Sequence, residues 1–203
     1  MYEYITGKIS FIYPSYVVVE TNGIGYKLLM ANPFRYTEQW HKEATVYVYQ
    51  DVRQDAILLF GFQTIQEKQL FLKLINVSGI GPKSALAILA NDNHQGFIQA
   101  VENNDTTFLM KFPGVGKKTA SQIVLDLKGK LSDFDVSDYT GSTDGVTGQG
   151  DLLSPNHHFN EAMEALLALG YAKRDIERVK KQLDPSAEMT TDAYIREALS
   201  KLI

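Results

Sequence analysis

Cysteine is absent from the 203 residues, which excludes disulfides, thiolate zinc sites, iron–sulfur clusters and cysteine nucleophiles. Stability therefore has to come from packing alone. No stretch approaches the ~20 consecutive apolar residues of a membrane span. The opening MYEYITGKIS has neither the basic flank nor the apolar run of a secretory signal. The expectation is a cytoplasmic protein with no membrane partner. Histidine is scarce: His41 and His94 are isolated, and His157 and His158 are neighbours that diverge at a helix start, so no metal site is expected. No set of nucleophile, base and orienting acid stands out, and no cofactor is expected. Tryptophan occurs once, at Trp40, as a packed or half-exposed side chain.

Excess basic charge is also missing. The net charge is −4 and the pI about 5.6, which at first argues against a partner made of phosphates. The average conceals a division. Residues 1–62 carry −1, 63–131 carry +3, 132–156 carry −5 and 157–203 carry −1. Most of the acidity thus sits in one short segment, and a single block is net positive.

What is present falls into an α+β multidomain order. Within residues 1–62, Tyr16 to Glu20, Gly25 to Met30 and Thr45 to Tyr49 are rich in β-branched and aromatic residues and predict strands. Asn22-Gly23 between the first two is a type I′ hairpin signal. Five or six short strands in about 60 residues suit a small closed, OB-like barrel. Over 63–131 the apolar period lengthens to that of helices: Leu70, Phe71, Leu74, Ile75; Ala85, Ile88, Leu89; Phe97, Ile98, Val101; Leu109; Ile123, Val124, Leu127. Residues 132–156 hold four glycines, no basic residue and little apolar content, the composition of a flexible linker. The tail, 157–203, has three helical stripes, over His158 to Leu169, Lys173 to Leu183 and Thr191 to Ile203. Gly170 is placed to end the first and Thr191 or Asp192 to cap the last.

Chemistry concentrates in two near-copies of one phrase, VSGIGPKSA and FPGVGKKTA, 35 positions apart. In each, Gly-apolar-Gly joins one helix to the next. Gly79 and Gly114 permit positive φ, Ile80 and Val115 can anchor the turn, and Gly81 and Gly116 leave room at a helix start. Pro82 suits a first helical turn, where its missing N–H removes no bond. Unpaired amides there, with the helix dipole, favour an anion. Lys83, Lys117 and Lys118 add charge, and Ser84 and Thr119 follow as small residues. The pattern is that of a tandem helix-hairpin-helix, which holds DNA phosphates without reading sequence. One such turn could be mere packing; two, each followed by lysine, favour binding. A P-loop is excluded because Lys111 stands where its first glycine belongs and Lys118 where Ser or Thr belongs. A dinucleotide fingerprint lacks its third glycine, at Ser84 and Thr119.

This order of domains, together with GIGPKSALAIL, FPGVGKKTASQIVLDLKGKL, DVRQDAILLFGF and LLALGY, closely resembles the RuvA family over essentially the whole chain. The resemblance implies a homotetramer, at times paired as an octamer, that holds Holliday junction DNA open in recombination and repair of damaged DNA, including the SOS response. It implies RuvB, a hexameric ATPase, as the motor bound by the C-terminal three-helix, UBA-like domain, and admits the RuvC resolvase as a further partner. The protein would be a non-catalytic subunit. Carried onto this chain, Gly79, Ile80, Gly81, Lys83, Ser84, Gly114, Val115, Gly116, Lys117, Lys118 and Thr119 would hold phosphates. Gln54 and Asp55, at a loop tip that by composition alone reads as a solvated turn, would form an acidic pin at the crossover. The family commonly has two carboxylates there, so Gln54 halves the local charge unless Asp51 contributes, and Gln122 replaces a basic residue that would extend the grip. Leu169-Gly170-Tyr171 would be an exposed apolar loop for the motor, or else a helix end with Tyr171 packed inside.

Two other readings compete. A helix-hairpin-helix DNA glycosylase has a similar stretch with its catalytic lysine at Lys118, but the aspartate it needs would fall between Asp133 and Asp138, in the expected linker. A scaffold for duplex DNA without junction preference needs only the hairpins.

Overall fold

The computed structural model describes residues 1–91, 94–131, 155–185, 187 and 189–202. The expected linker lies outside them except for its last two positions. The chain divides into two compact units, Met1–Gln69 and Leu70–Ile203.

The first unit is a closed five-stranded barrel of strands β1 (Tyr4–Tyr13), β2 (Tyr16–Thr21), β3 (Ile24–Leu29), β4 (Glu43–Val52) and β5 (Ile57–Phe62). Its strand order is β1-β2-β3-β5-β4, in which β4 pairs antiparallel with β1, and the ring closes where β3 meets β5 in parallel, Leu28 opposite Leu59. Closure leaves no long open edge. Asn22 and Gly23 both have positive φ, 50° and 77°, as the type I′ turn requires. Ile5, Ile9, Val17, Val19, Leu28, Met30, Val46 and Val48 fill the interior. They come from alternate positions of each strand, except that β1 slips its alternation between Ile9 and Phe11 at a bulge. A 3-10 helix, Pro33–Gln39, follows β3; its cap Asn32 accepts from the Phe34 amide at 3.2 Å.

Helix α1 (Ile65–Ile75) begins directly after the barrel. Thr64 Oγ1 accepts from the Glu67 amide at 3.1 Å, and Glu67 Oε2 reaches back to the Gln63 amide at 2.9 Å, a variant of the capping box. Glu67 also pairs with Arg35 at 2.7 Å.

Four helices follow in the central block: α2 (Pro82–Ala90), α3 (His94–Glu102), α4 (Thr106–Leu109) and α5 (Lys117–Leu127). The tail holds α6 (Pro155–Leu169), α7 (Lys173–Lys180) and α8 (Thr191–Leu202). Helix α6 starts three residues before the expected His158. Gly170, at φ 97°, ends it in a Schellman motif, with the Gly170 amide on Leu167 O at 3.0 Å and the Tyr171 amide on Leu166 O at 3.2 Å. The cap of α8 differs from expectation. Thr190 Oγ1 takes the Ala193 amide at 3.2 Å. Thr191 is buried instead, donating to Glu161 at 3.0 Å beside His158 at 2.9 Å.

Candidate nucleic-acid interface

The two hairpins repeat one another bond for bond at the offset of 35. In the first, the Val77 amide donates to Leu74 O at 3.0 Å and the Ile80 amide to Val77 O at 3.0 Å. In the second, the Phe112 amide donates to Leu109 O at 3.3 Å and the Val115 amide to Phe112 O at 3.1 Å. Gly79 and Gly114 turn the chain at φ 90° and 79°, where a side chain is strained. Ile80 and Val115 are buried, as are Val77 and Phe112, so each turn is pinned from beneath by two apolar side chains. Its glycines are exposed.

The copies also face one another. A β-carbon on Gly79 would stand 3.2 Å from Thr119 Oγ1, and one on Gly114 would overlap Ser84 Oγ. Thr119 is the counterpart of Ser84, so the contact is reciprocal: each turn packs on the first turn of the other copy's second helix. This is the self-complementary logic of a two-fold interface, built within one chain. It aligns α2 and α5 as a pair and brings Gly79, Gly81, Gly114 and Gly116 to related places.

Gly81 and Gly116 are the N-cap residues of α2 and α5, at φ −93° and −88°, and no side chain caps either helix. Any residue can adopt that backbone, and a β-carbon there would meet nothing within 4 Å. Nothing inside the described protein thus requires glycine at either place. The space above both helix starts is open to a ligand, and the first-turn amides of Lys83, Ser84, Lys117, Lys118 and Thr119 border it. Lys83, Lys117 and Lys118 are exposed beside those amides. Gln122, one turn further on, donates to Asp126 at 2.9 Å and so stays on its own helix.

The β4–β5 turn places Gln54 and Asp55 exposed at its tip, closed by the Arg53 amide on Ala56 O at 2.8 Å. Asp51 does not extend the acidic tip. It lies in β4 and pairs with Arg53 Nε at 2.8 Å, so Asp55 is the carboxylate left at the tip.

In the tail the expected exposed apolar loop is not exposed. Leu169 and Tyr171 are only 5% and 6% accessible, and Gly170 alone faces out. The Schellman motif folds both side chains inward. Burial raises the Tyr171 phenol far above its ordinary range, and its hydroxyl finds no partner among the described residues. Gly170 stands beside both copies of the hairpin, where a β-carbon would lie 3.4 Å from Lys83 Cε of the first and 3.9 Å from Pro113 Cβ of the second. Leu167, which helical periodicity sets on one stripe with Phe159, Met163 and Leu166, faces out instead at 40% accessibility.

The histidines serve separate structural ends. His94 is buried with Nε2 3.1 Å from Leu89 O, His41 stacks on Trp40 at 4.5 Å, and His158 meets Thr191. The side chain of His157 lies outside the described residues. Among the described residues, no group of three His, Cys, Asp or Glu could hold a metal ion, and no helix is long and apolar enough to cross a membrane.

An OB-type barrel followed by a reciprocal pair of helix-hairpin-helix turns defines a tandem helix-hairpin-helix protein. Family models divide the chain in the same order: RuvA N terminal domain matches residues 1–61, SAM-like Helix-hairpin-helix tandem 71–129, and RuvA, C-terminal domain 158–203. A protein of Limosilactobacillus reuteri is 54% identical over 202 residues, with all of both chains covered. One of Latilactobacillus sakei is 53% identical over 205 residues, covering all of this chain and 99% of the relative, and one of Streptococcus sanguinis is 48% identical with both chains fully covered. Each is named Holliday junction branch migration complex subunit RuvA. The chain belongs to the RuvA family.

Proposed function

We propose that this chain is the non-catalytic, junction-holding subunit of a branch-migration complex. It binds four-way junction DNA in the cytoplasm as a homotetramer, one or two to a junction, and recruits a RuvB-type hexameric ATPase. It leaves a junction on which a RuvC-type resolvase can act. The observation that carries this is the pair of N-cap glycines, Gly81 and Gly116, whose missing side chains serve no purpose within the fold. Two uncapped helix starts related by an internal near-symmetry suit the two strands of one duplex arm, and phosphate contacts position DNA without selecting sequence. Four copies supply four arms. Preference for a junction then arises from the array and not from the single grip.

Competition of linear duplex against a synthetic four-way junction tests this reading. The junction is expected to bind about a thousandfold more tightly, the low end of the ratio between specific and non-specific DNA binding. Equal affinity would leave a duplex scaffold.

The exposed Asp55 acts by repelling phosphates at the crossover. Asp55→Asn is expected to leave junction affinity unchanged or slightly higher, since a repulsion is removed, and to alter the rate of branch migration in the presence of the motor. An unchanged rate counts against the pin.

The tail serves the motor. Deleting residues 157–203 is expected to spare junction binding and abolish stimulation of the RuvB ATPase; retained stimulation would remove the tail from that role.

A further inference from the structure

Strand β1 changes phase at Ser10. Ile9 pairs with Val19 but Phe11 with Val18, so one extra residue is accommodated and the alternation slips by one. Ile5 and Ile9 point inward before the bulge and Ile12 packs on the core after it. Phe11 and Tyr13, which an unbroken alternation would carry inward, stand outside at 56% and 43% accessibility. The bulge therefore moves two aromatic rings from the core to the surface.

Those rings are organised. Register sets Phe11 beside Val18 and Lys27, and Tyr13 beside Tyr16 and Leu29. Tyr13 stacks on Tyr16 at 4.6 Å, Phe11 lies 6.2 Å from Tyr13, and Lys27 Nζ sits 4.2 Å over the Tyr16 ring. On the other flank of β1, the bulged Ser10 carbonyl accepts from Trp40 Nε1 at 3.3 Å and holds that indole 46% exposed. Lys42 follows, also exposed. The nearest acids in register, Glu20 and Glu43, both lie opposite Lys8 on the far side of the bulge.

We propose that this face binds single-stranded DNA, with bases stacking on Phe11, Tyr13 and Trp40 and with Lys27 meeting the phosphates. Exposed rings interleaved with cations match the two chemical halves of an unpaired strand, and stacking tolerates any base. Glu38 and Glu43, also exposed, flank Trp40 and Lys42 and confine the phosphates to the Lys27 side. A duplex hides its base faces and cannot use such a surface. The barrel's strand order supports the choice, because OB-type barrels bind ligands on the face of strands 2 and 3 and with the loops between strands 1 and 2 and between strands 4 and 5. These rings flank the first of those loops, and the second is here the acidic turn. The site is also separate from the acidic turn. Tyr4 lies opposite Tyr47 and Lys8 opposite Glu43, so the β4–β5 turn projects past the start of β1 while Tyr13 and Tyr16 close its other end. An unpaired strand and a junction can then be held together.

Trp40 is the single tryptophan of the chain, so its fluorescence in the full-length protein reports on this face alone. Titration with an oligothymidylate is expected to quench it saturably. Phe11→Ala with Tyr13→Ala is expected to weaken oligothymidylate binding about tenfold, the loss of stacked bases, and to leave four-way junction affinity and sedimentation unchanged. Lys27→Gln, which leaves every ring in place, is expected to weaken the same binding by a smaller factor and to lessen its salt dependence. Absence of saturable quenching overturns the proposal, as does quenching that disappears in Lys117→Ala with Lys118→Ala but survives in the ring variant. A change of sedimentation in the ring variant also overturns it, since the face would then be a contact between copies of the chain.

Discussion

Alanine at Gly114 is expected to destabilise the fold by about 2–3 kcal/mol, while alanine at Gly116 costs about 1 kcal/mol or less and yet weakens DNA binding about tenfold or more. The two glycines are two residues apart and do different work. Gly114 has φ 79°, and its β-carbon would overlap Ser84 Oγ in the opposite copy, so an added methyl group meets both backbone strain and a neighbour that must move. Gly116 has an extended backbone and open space around the missing carbon, so the same methyl group projects into the volume where a phosphate oxygen would approach the α5 amides. Urea denaturation and junction titration of the same variants separate the two effects. Ser84→Ala should restore about 1 kcal/mol to the Gly114 variant, because the clash is between these two side chains and neighbours couple; it should do nothing for Gly116→Ala. Equal loss of stability at both positions would sink the division, and so would full DNA affinity in Gly116→Ala. The first-copy pair, Gly79 and Gly81, should behave alike but more mildly, since Thr119 Oγ1 stands off at 3.2 Å.

Features that depend on residues close together in the chain are legible in the sequence alone. Asn22-Gly23 turns as its chemistry demands, Pro82 occupies the first turn of α2, and Ile80 and Val115 pin their turns from inside. Features that escape such reading depend on partners distant in the chain. The bulge at Ser10 exists only relative to β2, and its effect, moving Phe11 from core to surface, reverses what alternation alone suggests. Thr191 resembles a cap because its partners, Glu161 and His158, lie some thirty residues away. Leu169 and Tyr171 are an exception: the Schellman bonds from Gly170 and Tyr171 are local, and what the sequence does not show is that both side chains end up buried. The reciprocal contact between Gly79 and Thr119 and between Gly114 and Ser84 is implicit in the repeat. Only packing shows that the repeat is also an interface.

Removing the charges should leave a different signature from removing the space. Lys83, Lys117 and Lys118 are exposed around the two helix starts, and each can neutralise one phosphate. Replacing all three by alanine is expected to reduce the slope of log affinity against log salt by about 0.9 for each lysine on each engaged hairpin pair, with affinity falling about a hundredfold or more near physiological salt. The loss should be uniform across junctions of unrelated sequence, because phosphates carry no base information. Lys201 on α8, paired with Glu197 at 3.3 Å, supplies the control, and Lys201→Ala should leave the slope unchanged. Filter binding or anisotropy over a salt series measures all of this. An unchanged slope in the triple variant would mean that the lysines do not touch DNA, and a loss confined to some sequences would mean that they read bases. Gly116→Ala completes the comparison, since it removes no charge. It should lower affinity at every salt concentration without changing the slope, whereas the lysine variant changes the slope itself. If the glycine variant altered the slope as well, the α5 amides and the lysines would be acting on the same phosphate, and the grip would be a single site shared between them.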